Sequence, residues 1–596
     1  MDRNTILGFL LIGLVLLVWM FITAPPPPTL TTAADTTATQ QQQTNVHRKD
    51  TVAQVRAADI SRQDTLGKFF SHLPGRVEQT LTIETPLYVA KLSTRGGSLR
   101  SWILRKYKTW NQYPVDLVSA DTAKEFNLVF LTSDGKLVNT KQFIFENDRK
   151  DDKTIILGAT DSVVVRFILR IDEKRSITKS YTLYGNRYSF DAGYRFEEMQ
   201  DVLAGYEYQV TWESGLRYQE GNSINESNSA KAYIFAGGEL TELDASSLTE
   251  QPKQNISGRA AWIATRNKYF AVAIIPREKE SQGAYMEGRR EKMPENGAKE
   301  SYSLALKMPF RGQSTEQDHF TVYLGPLDYD IIRDYNVELE RVMSLGAAWI
   351  IRPISEYVII PLFKILHYVI ANYGIVLIIF ALIIKIVLYP LTKSSMVSMR
   401  KMQALQPMMD EIKEKYKDDP QKMNQQVMRL YKEYGVNPAG GCLPLILQMP
   451  ILYALWAVFS ATIELRQASF FGWIHDLSSP DVVATLPFQI PIFGINQISG
   501  LALLMGITMF IQQKMSVKDP RQKAMVWMMP VLMTLLFNSF PAGLNLYYFM
   551  FNALSIGQQW WMNKTHKNEP LKKVDEKKQS GGIFGRISKN LPKLNK

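Results

Sequence analysis

The chain has 596 residues, 46% of them hydrophobic, and a net charge of +12, long enough for a large soluble domain plus a membrane domain. Its one cysteine, Cys442, excludes an internal disulfide framework. Its six scattered histidines show no metal-ligand spacing, so no metal and no cofactor are expected.

Residues 1–24 read as an N-terminal signal-anchor helix, with an apolar run from Ile6 to Ile22 after Arg3. Pro25 to Pro28 follow Thr23 and Ala24 at once, which disfavours cleavage there and favours a retained anchor. Residues 25–65, rich in Pro, Thr, Ala and Gln, are too poor in apolar side chains to fold and read as a flexible linker.

From residue 66 to 340 the pattern turns to period two, as in SVVVRFILR (162–170), SITKSYTLY (176–184) and YEYQVTW (206–212). No strand–helix–strand alternation is visible, which predicts a mostly antiparallel β-sandwich. Arg95-Gly96-Gly97 lacks the following helix and lysine of a phosphate loop and reads as a turn or bulge. No catalytic constellation stands out.

In residues 341–372 an apolar stretch is interrupted by Arg352, Pro353, Glu356, Pro361, Lys364 and His367. It reads as an amphipathic helix lying in the membrane interface. Residues 373–562 read as a five-helix membrane core. Its first span, Tyr373 to Leu391, holds one charge, Lys385. As a straight helix it would be about 28 Å long, with Lys385 roughly 9 Å from its end. An ammonium at a bilayer centre costs about 2.5–3.5 kcal/mol even on insertion scales. Lys385 must therefore snorkel to the headgroups or lie in a wet pocket within one leaflet.

Residues 392–441 read as a helical hairpin. Met396, Met399, Met402, Leu405, Met409, Ile412 and Tyr416 recur at helical spacing, and Met423, Val427, Leu430 and Tyr434 do so after Asp419-Pro420. Asp before Pro is a helix start, and Gly435 with Pro438 a stop. The methionines read as core between the two helices, with a flexible partner-binding surface as the alternative. Four more spans, 443–463, 498–513, 524–540 and 543–562, hold Gln448, Thr508, Thr534, Asn538, Asn545, Asn552 and Ser555 but no Asp or Glu well inside. That argues against proton relays and against an aspartyl protease. A Ser–Lys dyad with Lys385 would need a serine from another span, and none has a supporting motif. Residues 563–596 are a basic cytoplasmic tail, suited to anionic lipid or to ribosomal RNA.

Residues 392–441, 514–523 and 563–596 net +3, +3 and +7, so the rest of the chain nets −1. Basic excess confined to these loops places them inside, giving six spans with both termini in the cytoplasm.

YPLTKSSMVSMRKMQALQP (389–407), NPAGGCLPLILQMPILYALW (437–456), ELRQASF (464–470), WIHDLS (473–478) and FPAGLNLYYFMFN (540–552) closely resemble the YidC/Oxa/Alb family of membrane protein insertases. STRGGSL (93–99) and LGPLDY (324–329) extend the resemblance into the first half. It implies a polytopic α-helical protein of the bacterial inner membrane, with six transmembrane helices, N-in/C-in. Residues 66–340 would be a large periplasmic antiparallel β-sandwich domain, of the supersandwich kind. It implies an insertase and chaperone rather than an enzyme, working alone or with the Sec translocon. Substrates would pass through a hydrophilic, positively charged groove open to cytoplasm and lipid. The implied partners are nascent membrane proteins, the Sec translocon, membrane lipids, and the ribosome through tail and hairpin. The family's groove arginine falls on Lys385, and lysine keeps the charge while losing the planar fork. Tyr547 and Tyr548 match the family's substrate-contacting aromatic pair; with Gln448 and Asn545 they complete the expected groove. The competing reading is a secondary transporter using the same polar site, which would need paired repeats. A carbohydrate-binding enzyme built on the sandwich is a third class.

Overall fold

The computed structural model describes residues 66–118, 124–149, 152–294, 297–436, 443–490, 494–516, 523–565 and 573. The expected anchor and linker, and nearly all of the basic tail, lie outside these residues. The described chain forms two compact units that divide between Met343 and Ser344.

Period two builds the first unit. In Ser162–Arg170, Val163, Val165, Phe167 and Leu169 are buried while Ser162, Arg166 and Arg170 face outward. The neighbouring strand Ser176–Tyr184 buries Ile177, Lys179, Tyr181 and Leu183 by the same alternation. Both belong to a nine-stranded sheet, which packs on a six-stranded sheet containing Leu203–Trp212 and Gly297–Pro309; a third sheet has five strands. Among the described strands every ladder is antiparallel except that of Thr80–Glu84 with Thr154–Ile156. Aromatic side chains fill the core. Tyr88 stacks on Trp102 at 3.8 Å, and Phe126 meets Phe190 edge-on at 5.7 Å and stacks on Tyr194 at 5.5 Å. Full burial of a large apolar side chain contributes about 1.5–3 kcal/mol.

Charges inside the sandwich are partnered, as their desolvation requires. Lys179 donates to the Phe126 carbonyl at 3.3 Å and to Thr140 Oγ1 at 3.2 Å, and lies over the Phe145 and Tyr194 rings. Burial pushes its ammonium well below the usual lysine range. Across the two large sheets, the Tyr208 hydroxyl donates to Asp318, which also lies 3.2 Å from Lys279 Nζ. Arg95-Gly96-Gly97 is a turn: both glycines have positive φ (+77° and +52°), and the Gly97 carbonyl accepts from the Tyr181 hydroxyl. A Cβ at Gly97 would stand 2.9 Å from that of Phe167.

The second unit is helical. Residues 351–369 form one helical stretch with a π turn at Ser355–Ile359, ending in α1 (Ile360–Val369). It buries Ile359, Ile360 and Phe363 and leaves Tyr357, Ile365 and Tyr368, also large and apolar, exposed. Asn372 caps α2 (Tyr373–Val387), accepting from the amides of Gly374 and Ile375 at 2.9 and 3.2 Å.

Here the structure corrects the expected span to Leu391. α2 stops at Val387, and α3 (Tyr389–Ala404) sets off on Tyr389-Pro390 at a bend of 70°. Pro390 has no N–H for the Ile386 carbonyl, and its ring crowds that position. Fifteen residues make α2 about 22 Å long. Lys385 thus lies in the last helical turn, at the negative end of the helix dipole. Among the described residues no single helix is both long and apolar enough to cross a bilayer; α2 and α3 pass that test only as a bent pair.

The first helix of the expected hairpin is also divided. Pro407 starts α4 (Gln406–Lys415) after a break at Leu405, and Asp419 caps α5 (Pro420–Glu433) by accepting from the Lys422 amide at 3.0 Å. α6 (Leu443–Ala461), α7 (Gly500–Ser516), α8 (Lys523–Phe537) and α9 (Ala542–Thr565) follow. Between α6 and α7 lies a β-hairpin of Val482–Ile490 with Ile495–Ser499, whose second strand enters the span expected from residue 498.

Glu125 yields a pH prediction. Its carboxyl is fully buried, and desolvation raises its pKa to about 7 despite hydrogen bonds from Ser214 and the Glu213 amide. The folded state therefore favours protonated Glu125. That contribution is complete below the unfolded value of 4.5 and is lost as pH rises through about 7. Glu125→Gln should raise the sandwich melting temperature of the full-length protein by a few degrees at pH 8 and leave it unchanged at pH 4.5. Calorimetry at both pH values checks this; an equal shift at both would contradict it.

Candidate substrate groove

The site forms where α2 meets α9. On α9, residues four apart share one face, and Tyr547, Phe551, Ser555 and Gln559 are all buried on that face. Close approach is helped by Gly543, whose added Cβ would lie 3.2 Å from Leu377 of α2. Lys385 is only 7% exposed. Its ammonium donates to Ser555 Oγ at 2.6 Å and stands 4.6 Å from the centre of the Phe551 ring. Among the described residues Ser555 is its one hydrogen-bond partner, while a lysine ammonium has three donors. Neighbouring side chains thus enclose Lys385 almost completely.

Ser555 does supply the hydroxyl that a Ser–Lys dyad would need, but the geometry is not that of a nucleophile. Its own proton goes to the Phe551 carbonyl at 2.8 Å while it accepts from Lys385. The hydroxyl serves as an acceptor for the Lys385 ammonium.

The two tyrosine rings meet edge-on at 5.1 Å and reach different neighbours. Tyr547 lies 5.9 Å from both Phe380 of α2 and Phe551, and its buried hydroxyl has no hydrogen-bond partner among the described residues. Tyr548 is half-buried against Phe537 of α8 at 5.4 Å. So Lys385 and Tyr547 are brought together through Phe551. Gln448 on α6 is linked to Lys385 by no described contact; its Nε2 is buried and unpartnered among the described residues.

Asn545 belongs elsewhere. It is ten residues from Ser555, about 15 Å along α9, in a polar cluster at the opposite end of the unit. There Asp481 accepts from the Leu501 amide at 2.7 Å, Trp473 Nε1 at 3.0 Å and the Ser499 hydroxyl. Asn538 accepts from the Ser499 amide at 2.9 Å, and Asn545 donates to the Phe537 carbonyl at 3.2 Å and to Ser499 Oγ at 3.4 Å. Sequence reading missed Asp481, whose role as cap of α7 depends on the fold of the hairpin before it. It also missed Gln559, which accepts from Ser516 at 3.1 Å, and Gln403, which donates to the Ser516 carbonyl at 2.6 Å. The four-residue stripe 547, 551, 555, 559 was the available signal for Gln559.

The methionines divide as well. Met402 and Met409 pack with Leu405, Ile412, Val427, Leu430, Tyr434 and Val436 in the core between α4 and α5. Met423 is buried outside that cluster, and Met396 and Met399 on α3 are half-buried. Tail residue Lys573 reaches Glu433 of α5 at 2.5 Å.

Residues 365–569 match the family described as the 60Kd inner membrane protein, and residues 80–356 match the YidC periplasmic domain. The membrane protein insertase YidC of Chlorobaculum tepidum is 39% identical over 574 residues, 96% of each chain. That of Pelodictyon phaeoclathratiforme is 40% identical over 569 residues, 95% of each. The chain belongs to the YidC membrane protein insertase family. A crystal structure of an active YidC insertase with its first transmembrane domain resolved covers 82% of this chain and 93% of its own, at 19% identity and a TM-score of 0.35. A galactose mutarotase related enzyme from Lactobacillus acidophilus covers 41% of this chain and 97% of its own, at 9% identity and a TM-score of 0.27. Neither score bears on chemistry. The YidC inner-membrane match takes in α2 to α9 complete, and with them Lys385, Tyr547 and Ser555.

Within this YidC framework, Ser555→Ala should leave a buried ammonium without its hydroxyl, at a cost of about 1–3 kcal/mol. The full-length protein in detergent should then melt several degrees lower, and Ser555→Thr should melt close to wild type. An unchanged melting temperature for Ser555→Ala would show that the hydrogen bond contributes nothing.

Proposed function

We propose that the chain inserts proteins into the bacterial inner membrane, using Lys385 as a transient partner for polar or acidic segments in transit. The observation that carries this reading is the position of Lys385: in the last turn of a short apolar helix, with one of three ammonium donors engaged among the described residues. A buried cation without a full set of acceptors is costly. A carboxylate or backbone carbonyl arriving from a translocating tail would offset that cost, and a lysine accepts it as a point charge from any direction. Tyr547, with its unpartnered hydroxyl beside Phe551, offers a second contact on the same face.

In this proposal the chain has six spans, with both termini and the α3–α5 hairpin in the cytoplasm and the sandwich in the periplasm, as the basic loops favour. The bend after α2 supports a thinned barrier, since a helix of about 22 Å is shorter than a hydrocarbon core of about 30 Å. A substrate tail crossing there would meet less apolar depth. Release of its apolar span into lipid, about 0.8 kcal/mol per buried CH₂, would drive the step. We further propose that the protein acts as a chaperone, alone or beside the Sec translocon. The hairpin and basic tail, joined at Lys573 and Glu433, would face the ribosome.

Reconstituted in proteoliposomes, Lys385→Arg should insert single-span substrates as wild type does. Lys385→Leu should slow those with an acidic translocated tail by roughly five- to thirtyfold, the equivalent of about 1–2 kcal/mol. Substrates with neutral tails should be unaffected. Protease protection of the translocated tail measures all three. Wild-type insertion of acidic tails by Lys385→Leu would refute the role of the charge. Uptake of small solutes without insertion would favour a transporter instead.

A further inference from the structure

From Val482 to Gln513 the chain has no charged residue, and its first part is the hairpin Val482–Ile490 and Ile495–Ser499. Seven of the nine residues in Val482–Ile490 are exposed, on both faces of the strand. Val482, Val483 and Phe488 are 43%, 48% and 61% exposed, and Phe471 nearby in sequence is 81% exposed. A strand facing water on one side alternates polar and apolar residues, and an exposed edge is normally guarded by charge. This hairpin does neither. Two strands alone are marginally stable in water, so the hairpin needs a partner surface.

Its position identifies that surface. Asp481 and Ser499, at the base of the hairpin, are bonded to Leu501 at the start of α7, to Asn538 just after α8 and to Asn545 at the start of α9. The hairpin therefore springs from the level at which three apolar helices end. Trp473 and Val483 sit directly over Gly500, each 2.9 Å from where its Cβ would stand. Beyond Gly500 the exposed apolar surface continues down α7 through Leu503, Ile507 and Ile511, one residue per turn. Aromatic side chains at the end of an apolar ridge are the pattern of a membrane–water interface.

We infer that this hairpin lies in the outer leaflet of the bilayer at the headgroup–acyl boundary, with Val483, Phe488 and Phe471 in contact with lipid. The inference rests on the reading of α7 as a membrane span. The hairpin anchors the polar cluster around Asp481 to the membrane surface and holds the outer ends of α7, α8 and α9 at a common depth.

The test uses the full-length protein with Cys442→Ser and a single cysteine at Val483, Phe488 or Ile507, labelled with a polarity-sensitive fluorophore. Each is reconstituted in phosphatidylethanolamine–phosphatidylglycerol vesicles. Quenching by lipids brominated close to the headgroup and by aqueous iodide is compared. We expect lipid quenching at 483 and 488, with iodide access reduced at least fivefold relative to the denatured chain. Ile507 should be quenched by deeply brominated lipid. Iodide access at 483 and 488 with Ile507 in lipid would overturn the inference and leave the span intact. So would shielding from both quenchers, which would mean a protein covers the hairpin, whether a nascent chain or another part of this one. Absence of lipid quenching at Ile507 would instead refute the span itself.

Discussion

An ammonium in an apolar helix constrains everything packed around it. Lys385 cannot be left in hydrocarbon without a partner, and the helical unit answers in two ways. Pro390 ends α2 two residues beyond it, so the charge lies in the terminal turn rather than a third of the way into a longer span. α9 then presents a hydroxyl at 2.6 Å and an aromatic face at 4.6 Å. The buried stripe on α9, the close approach at Gly543 and the contact of Tyr547 with Phe380 all follow from bringing that one face of α9 to α2.

A second buried lysine shows what a purely structural solution looks like. Lys179 in the sandwich is held by a carbonyl, a hydroxyl and two aromatic rings. Its burial pushes the ammonium well below the usual lysine range. Lys385 has fewer fixed acceptors and sits at a helix end beside a bend. Lys179 thus has two hydrogen-bond acceptors among the described residues where Lys385 has one.

Opposite the lysine, the helical unit is tied by amides, hydroxyls and the Asp481 carboxylate. Asp481 satisfies the first amides of α7, and Asn538 and Asn545 bind the chain entering that helix. Two of its acceptors are shared: one Asp481 oxygen accepts from Trp473 and Leu501, and Ser499 Oγ from Ala502 and Asn545.

Much of this was legible from composition and period. Alternation in Ser162–Arg170 and Ser176–Tyr184 announced a sandwich, and Asp419-Pro420 announced the start of α5. The long motifs from Tyr389 to Asn552 announced the family, and a lone lysine in an apolar run announced the candidate site. These are local signals, carried by neighbours in the chain. What the fold alone decided is which distant residues meet. Ser555, 170 positions from Lys385, became its partner. Asn545, expected in the same groove, went to the other end of α9. The β-hairpin of Val482–Ser499 was invisible because its first strand shows no alternation, being apolar on both sides. Period and capping report how one segment faces its surroundings, whereas the pairing of faces is set by helix crossings and close glycine contacts that no single stretch of sequence encodes.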